Sequence, residues 1–243
     1  SWINPLSMVV IGSLLLSIIA ICDKRLPGRD GMLYIETASI FLEEGLSAAR
    51  AHFDWVFFPV CIAMLSKFTG LGVETLAYVL SVLLLTAGCA TLVRIVQLQF
   101  PAAAWYACLI VLTLPTLNEQ RGVVIREFGC WLFCFQALLY ALLWQRNPTH
   151  RNGLVVQLLL LFAALFRVEA VVFFASLALW QVLAKKPWRQ RFHHLSMLIS
   201  IPFVCGTALL PLLASGKIEI AGRITHYASA ATPSILFSRF HAV

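Results

Sequence analysis

The stretch "SMVVIGSLLLSIIAIC", Ser7 to Cys22, holds no charged residue, and neither does "GLVVQLLLLFAALF", Gly153 to Phe166. Such runs leave few folded options: in water they must be buried on every side, whereas in a bilayer a helix of roughly 20 apolar residues spans the hydrocarbon core. Composition decides between the two. Of 243 residues, 60% are hydrophobic and 12% charged, against about a quarter charged in an ordinary soluble domain. The expected fold is all-α and polytopic, with about seven transmembrane helices over residues 3–22, 74–97, 102–118, 128–144, 154–166, 169–184 and 195–214. We expect one transmembrane domain over 1–243, with 23–73 as its first loop. The start at Ser1 in place of Met is compatible with a fragment of a longer chain.

Two places resist a simple span. Residues 154–184 form one apolar run interrupted by Arg167 and Glu169, too long for one ordinary helix, so a hairpin or broken pair with Arg167 at the turn is expected. "WVFFPVCIAMLS", Trp55 to Ser66, is short and contains Pro59, which suits an interfacial or re-entrant helix.

Charge supports that choice. If Trp55 to Ser66 does not cross, then Arg94, Arg146, Arg151, Lys185, Lys186, Arg189 and Arg191 share one side with no acidic residue. All 11 acidic residues, Asp23, Asp30, Glu36, Glu43, Glu44, Asp54, Glu74, Glu119, Glu127, Glu169 and Glu219, fall on the other. The positive-inside rule places the basic set and the N-terminus in the cytoplasm. The net charge of +7 is then a consequence of topology and does not argue for nucleic acid, and no glycine-rich phosphate loop or nucleotide fingerprint occurs. Cys22, Cys61, Cys89, Cys108, Cys130, Cys134 and Cys205 lie in apolar runs and read as small buried thiols.

The first non-cytoplasmic loop, "DKRLPGRDGMLYIETASIFLEEGLSAAR", opens with a turn signal at Pro27 and Gly28 and then becomes periodic. Tyr34, Ala38, Phe41, Gly45 and Ala49 share one helical face, and Glu36, Glu43, Ser47 and Arg50 another, which predicts an amphipathic helix lying on the membrane. Asp30, one turn before Tyr34, has two readings: an N-cap paired with Arg29, or a functional carboxylate at the mouth of a cavity. Its company is "NEQRGVVIRE", with Arg121, Arg126 and Glu127 at the entrance of the fourth span, and "FRVEA", with Arg167 and Glu169. Arg167 is either a residue snorkelling at a turn or part of a site, since ionisable groups at membrane depth are costly. Arginines bind phosphate bidentately, and a carboxylate can take a proton from an attacking hydroxyl.

Four segments carry a family resemblance: "GRDGMLYIETASIFLEEG", the run from "FFPVCIAMLS" to "TLVRIV", "VIREFGCWLFCFQALLYALLW" and "LLLFAALFRVEAVVFFASLALW". In that order they resemble the GT-C superfamily of membrane glycosyltransferases, in its dolichyl-phosphate-mannose protein mannosyltransferase and aminoarabinose transferase branch. The resemblance covers about Pro27 to Trp180 and rests on pattern. It implies sugar transfer from a polyprenyl-phosphate donor to a glycan, lipid or protein acceptor at the periplasmic or lumenal face, in a bacterial inner membrane. It implies Asp30 as general base, with Arg29, Tyr34, Arg126, Glu127, Arg167 and Glu169 binding substrate. Many relatives carry adjacent acidic residues in the first loop, whereas Asp30 is followed by Gly31. That departure leaves dependence on a divalent metal open, and no metal-ligand set stands out. A transporter or flippase of lipid-linked saccharide and a non-catalytic assembly subunit are the competing classes.

Overall fold

The computed structural model describes residues 4–23, 27–146, 149–183 and Ser196. These belong to one compact unit within residues 1–198. Among them the secondary structure is helical, in the order α1 (Pro5–Asp23), α2 (Arg29–Glu44), α3 (Leu46–His52), α4 (Phe57–Thr69), α5 (Val73–Gln99), a 3-10 turn (Pro101–Ala103), α6 (Ala104–Thr113), α7 (Pro115–Gln120), α8 (Glu127–Arg146), α9 (His150–Phe166) and α10 (Ala170–Leu183).

Three helices, α1, α5 and α8, are long and apolar enough to cross a membrane. At 1.5 Å per residue they measure about 28, 40 and 30 Å, against a hydrocarbon core of about 30 Å. The other expected spans that fall on described residues do not reach that length. The third is cut at Leu114 by Pro115, which cannot donate to the preceding turn, and Asn118 Nδ2 donates instead to the Leu112 carbonyl at 3.0 Å. The fifth and sixth are α9 and α10, 17 and 14 residues long, and the seventh, 195–214, lies outside the described residues. Among the described residues, three helices therefore have the length and apolar character of spans, accompanied by shorter apolar helices; seven full spans are not shown.

The segment around Pro59 is helical as α4, 13 residues or about 20 Å long. Pro59 stands in its first turn, where the missing N–H has no intrahelical acceptor to lose. Phe58 and Ile62 of α4 are fully buried, each such side chain worth about 1.5–3 kcal/mol. They join Tyr34 and Ala38 of α2, Leu84 and Leu85 of α5, and Phe128 of α8 in the main core.

α5 and α8 run parallel. Gln136 Nε2 donates to Thr91 Oγ1 at 2.9 Å and Arg146 Nη2 donates to the Leu98 carbonyl at 2.7 Å, so residue numbers climb together. Arg94 and Arg146 therefore share one end, and Glu74 and Glu127 open the two helices at the other. α9 returns antiparallel to α8: Phe133 stacks on Phe162 at 5.4 Å and meets Phe166 at 5.7 Å. Gly129, in the first turn of α8, lies directly against the Phe166 ring, and only a residue without Cβ admits that approach. The same ring meets Phe57 edge-on at 5.1 Å, and Trp55 Nε1 donates to the Leu165 carbonyl at 2.6 Å, which pins the entry of α4 to the end of α9. The starts of α2, α4 and α8 and the end of α9 converge there.

The expected continuous amphipathic helix is in fact two. α2 stops at Glu44 and α3 begins at Leu46, because Gly45 adopts φ +88°, a region glycine enters freely, and its N–H closes onto the Phe41 carbonyl at 3.1 Å. Within α2 the expected faces hold, with Tyr34 and Ala38 buried and Glu36, Glu43 and Glu44 exposed. Not every cysteine is buried: Cys22 is exposed and Cys61 half-buried.

A charged cluster at the helix ends

The cluster is assembled by the packing of helix ends. α2 begins at Arg29 with Gly28 as N-cap and no side-chain cap bond, so Asp30 is not the cap; it lies in the first turn, where the helix dipole favours a carboxylate. Gly31 sits against the loop before α8: a Cβ there would fall 3.1 Å from Val124 Cβ and 3.4 Å from the Val124 carbonyl oxygen. That contact fixes the start of α2 beside Arg126 and Glu127.

Tyr34 is 3% exposed, edge-on to Phe58 at 5.4 Å and tilted against Phe53 at 5.6 Å. Burial pushes its phenol up to about 12, and the neighbouring charges of Arg126, Glu127, Asp30 and Arg167 largely offset one another. At ordinary pH Tyr34 is a neutral hydrogen-bond donor, not a base. Because Tyr34 feels four of the expected site residues at once, and Glu169 feels Arg126, the cluster includes six of the seven: Asp30, Tyr34, Arg126, Glu127, Arg167 and Glu169. Arg29 is exposed and makes no ion pair among the described residues, with Asp30 or otherwise.

Arg167 terminates α9 in extended backbone, φ −150° and ψ 131°. Its guanidinium grips Glu169 bidentately, Nε to Oε2 at 3.1 Å and Nη2 to Oε1 at 2.7 Å, while Nη1 donates to Glu127 Oε1. This is the fork geometry for which arginine is suited. The hydrogen bonds from Arg167 hold the Glu169 carboxyl down at about 2 and, with the adjoining carboxylates, raise the guanidinium above its already high value. The Arg167 guanidinium is thus held by two carboxylates, the partly buried Glu127 and the exposed Glu169.

Arg126 is different. Its guanidinium carbon lies 5.5 Å from the centroid of Phe53, its Nε is buried without a partner, and it makes no ion pair among the described residues. The second Glu127 oxygen, Oε2, is likewise buried and unpartnered. Asp30 is exposed and makes no hydrogen bond or ion pair among the described residues. One open base, one unpartnered donor and one unpartnered acceptor thus occur together, a combination suited to an anionic ligand that also carries hydroxyl groups. Two of the three carboxylates are already committed to Arg167, and no grouping of three or more His, Cys, Asp or Glu able to hold a metal ion occurs among the described residues, so the residues present do not fit a divalent cation.

Sequence reasoning did not find Phe53, whose ring touches both Tyr34 and Arg126. It also placed Arg121 with Arg126 on the membrane face, whereas Arg121 is 2% exposed and turned toward Ser13 of α1. His52 is exposed and lies 3.5 Å from Glu36. Comparison with protein families, with curated proteins and with solved structures returns no match for this chain.

Proposed function

We propose that this chain is a membrane-embedded glycosyltransferase of GT-C type, moving a sugar from a polyprenyl-phosphate donor to an acceptor hydroxyl at the membrane surface that holds the acidic residues, the periplasmic face of a bacterial inner membrane. The observation that supports this reading best is that an open carboxylate, Asp30, and a cation whose donor is unpartnered, Arg126, both act on the buried Tyr34, at the convergence of four helix ends.

The proposed step is a displacement at the anomeric carbon. The acceptor oxygen forms a bond to that carbon as the bond from carbon to the phosphate oxygen breaks. Asp30 takes the acceptor proton, and the bonding pair leaves on the phosphate oxygen, where Arg126 stabilises the added charge. Glu127 Oε2 accepts from a sugar hydroxyl. Arg167, with Glu169, holds Glu127 in place and is not assigned to phosphate. Tyr34, neutral throughout, supplies a donor and the wall behind Asp30.

The test is reconstitution of the full chain in vesicles with a panel of polyprenyl-phosphate sugars labelled in the sugar. The proposal expects label to move to an acceptor with release of polyprenyl phosphate. Movement of the intact labelled lipid between leaflets without bond cleavage would establish a flippase instead, and neither event with any donor would leave an assembly role.

A further inference from the structure

Arg121, at the C-terminal end of α7, is the most buried cation among the described residues, 2% exposed, and no carboxylate pairs with it there. Its five N–H groups can be accounted for one by one. Nε donates to Asn118 Oδ1 at 2.7 Å, and Nη1 donates to Ser13 Oγ at 2.7 Å and to the Ser13 carbonyl at 3.3 Å. The two hydrogens on Nη2 have no acceptor, although that atom is fully buried. The surroundings are polar but uncharged: Thr86 Oγ1 donates to Ser13 Oγ at 3.3 Å, the Cys89 thiol lies beside the guanidinium, and Ser17, one turn further on the same face of α1, is fully buried with an unpartnered hydroxyl. Burial lowers the tendency of Arg121 to hold its proton, the direction expected of a cation without a counter-charge.

Buried charges are normally paired, because an isolated one is strongly unfavourable out of water. Here the acceptors around the guanidinium are neutral, Asn118, Ser13 and the weakly accepting Cys89 thiol, and no oxygen or nitrogen atom accepts from Nη2.

We propose that Arg121 Nη2 binds a small monovalent anion of the halide class, with the Ser17 hydroxyl as a further donor. Size and charge select that class. Ser13 and Ser17 are fully buried, so the space excludes a lipid head group. A doubly charged anion would replace one uncompensated charge by another of opposite sign. This site shares no residue with the Asp30 cluster and does not depend on its chemistry.

The experiment follows thermal unfolding of the purified full chain in detergent while sodium chloride replaces sodium gluconate at constant ionic strength. A ligand that binds only the folded state raises the midpoint by mass action, about 3–5 °C once chloride reaches roughly ten times its dissociation constant. Arg121→Gln should show no difference between the two salts, and Ser17→Ala should shift the same response to higher chloride. A second measurement uses the unaltered protein, so it survives any folding defect in the variants: bromide-exchanged crystals should give an anomalous peak next to Arg121 Nη2. Equal midpoints in both salts, a chloride response retained by Arg121→Gln, or no bromide peak would overturn the assignment. So would a halide response that appears only in Cys89→Ala, because ionised Cys89 would then be the counter-charge in the native protein.

Discussion

Arg167 and Arg126 belong to the same cluster and are held in opposite ways. Arg167 directs three donors at Glu127 and Glu169, whereas Arg126 lies over the Phe53 ring with a buried Nε that nothing accepts. Asp30 resembles Arg126 in this respect: it is exposed and unpaired among the described residues. The difference separates frame from chemistry. A guanidinium saturated by two carboxylates has little left for a ligand and serves to lock the start of α8 to the end of α9, while a buried unsatisfied donor costs stability unless a ligand makes use of it.

Disturbing the frame should have the largest effect. Gly129→Ala forces a methyl group into the Phe166 ring, itself held by Phe57, Phe58 and Phe133. Over-packing at so confined a place costs about 3 kcal/mol, read as a shift in the denaturation midpoint of the detergent-purified protein. An unshifted midpoint would mean that the α8–α9 junction yields easily and is no frame.

Next comes Arg167→Gln. Glu127, 22% exposed, loses its cation, and the expected loss of stability is about 2 kcal/mol. Glu169, 59% exposed, contributes little of that because water screens it. The open half should respond in the reverse sense. Arg126→Gln should leave stability within about 0.5 kcal/mol yet lower kcat/KM for sugar transfer about tenfold or more, as expected for one lost charge-assisted hydrogen bond. Equal losses of stability in the two variants would erase the distinction between them.

The smallest effect is in acid. Glu169 is held at about 2 in the folded chain, below its unfolded value near 4.3. A depressed carboxyl stabilises the fold fully above the unfolded pKa, and the contribution is lost as pH falls through the folded one. The stability gap between the wild-type chain and Arg167→Gln should therefore be constant from pH 7 to about 5 and narrow below about 4.5, by under about 1 kcal/mol given the exposure of Glu169. A gap that widened in acid would contradict the assignment of that ion pair.

Much of this was legible in the sequence, for reasons specific to each element. The helical character of the chain followed from charge-free runs, and the break at Arg167 from a run too long for one helix. The buried face of α2 followed from period alone, since Tyr34 and Ala38 are four residues apart. Gly45 was placed on that face and its power to break the helix was missed, because glycine is compatible with both roles and only φ separates them. Among the described residues, fewer of the expected spans reach membrane-crossing length than apolar character suggested, because Pro115 divides what composition alone shows as continuous. Six of the seven expected site residues do lie together, drawn there by helix-end packing, yet the sequence could not tell Arg126 from Arg121, five positions apart in one polar stretch. Their different fates depend on which neighbour each reaches, Phe53 or Ser13, and both contacts are distant in the chain. Nor could sequence show that Arg167 is saturated, since Glu127 is forty positions away.

The central claim is that Asp30 accepts the proton from the acceptor hydroxyl. It is tested most directly by comparing sugar transfer in vesicles by Asp30→Asn and by Glu36→Gln, which removes another exposed carboxylate from the same helix. The account predicts a loss of roughly 10²–10⁴-fold for Asp30→Asn, an unchanged unfolding midpoint, and near-native transfer for Glu36→Gln. A folded Asp30→Asn protein that transfers sugar at the native rate would contradict it.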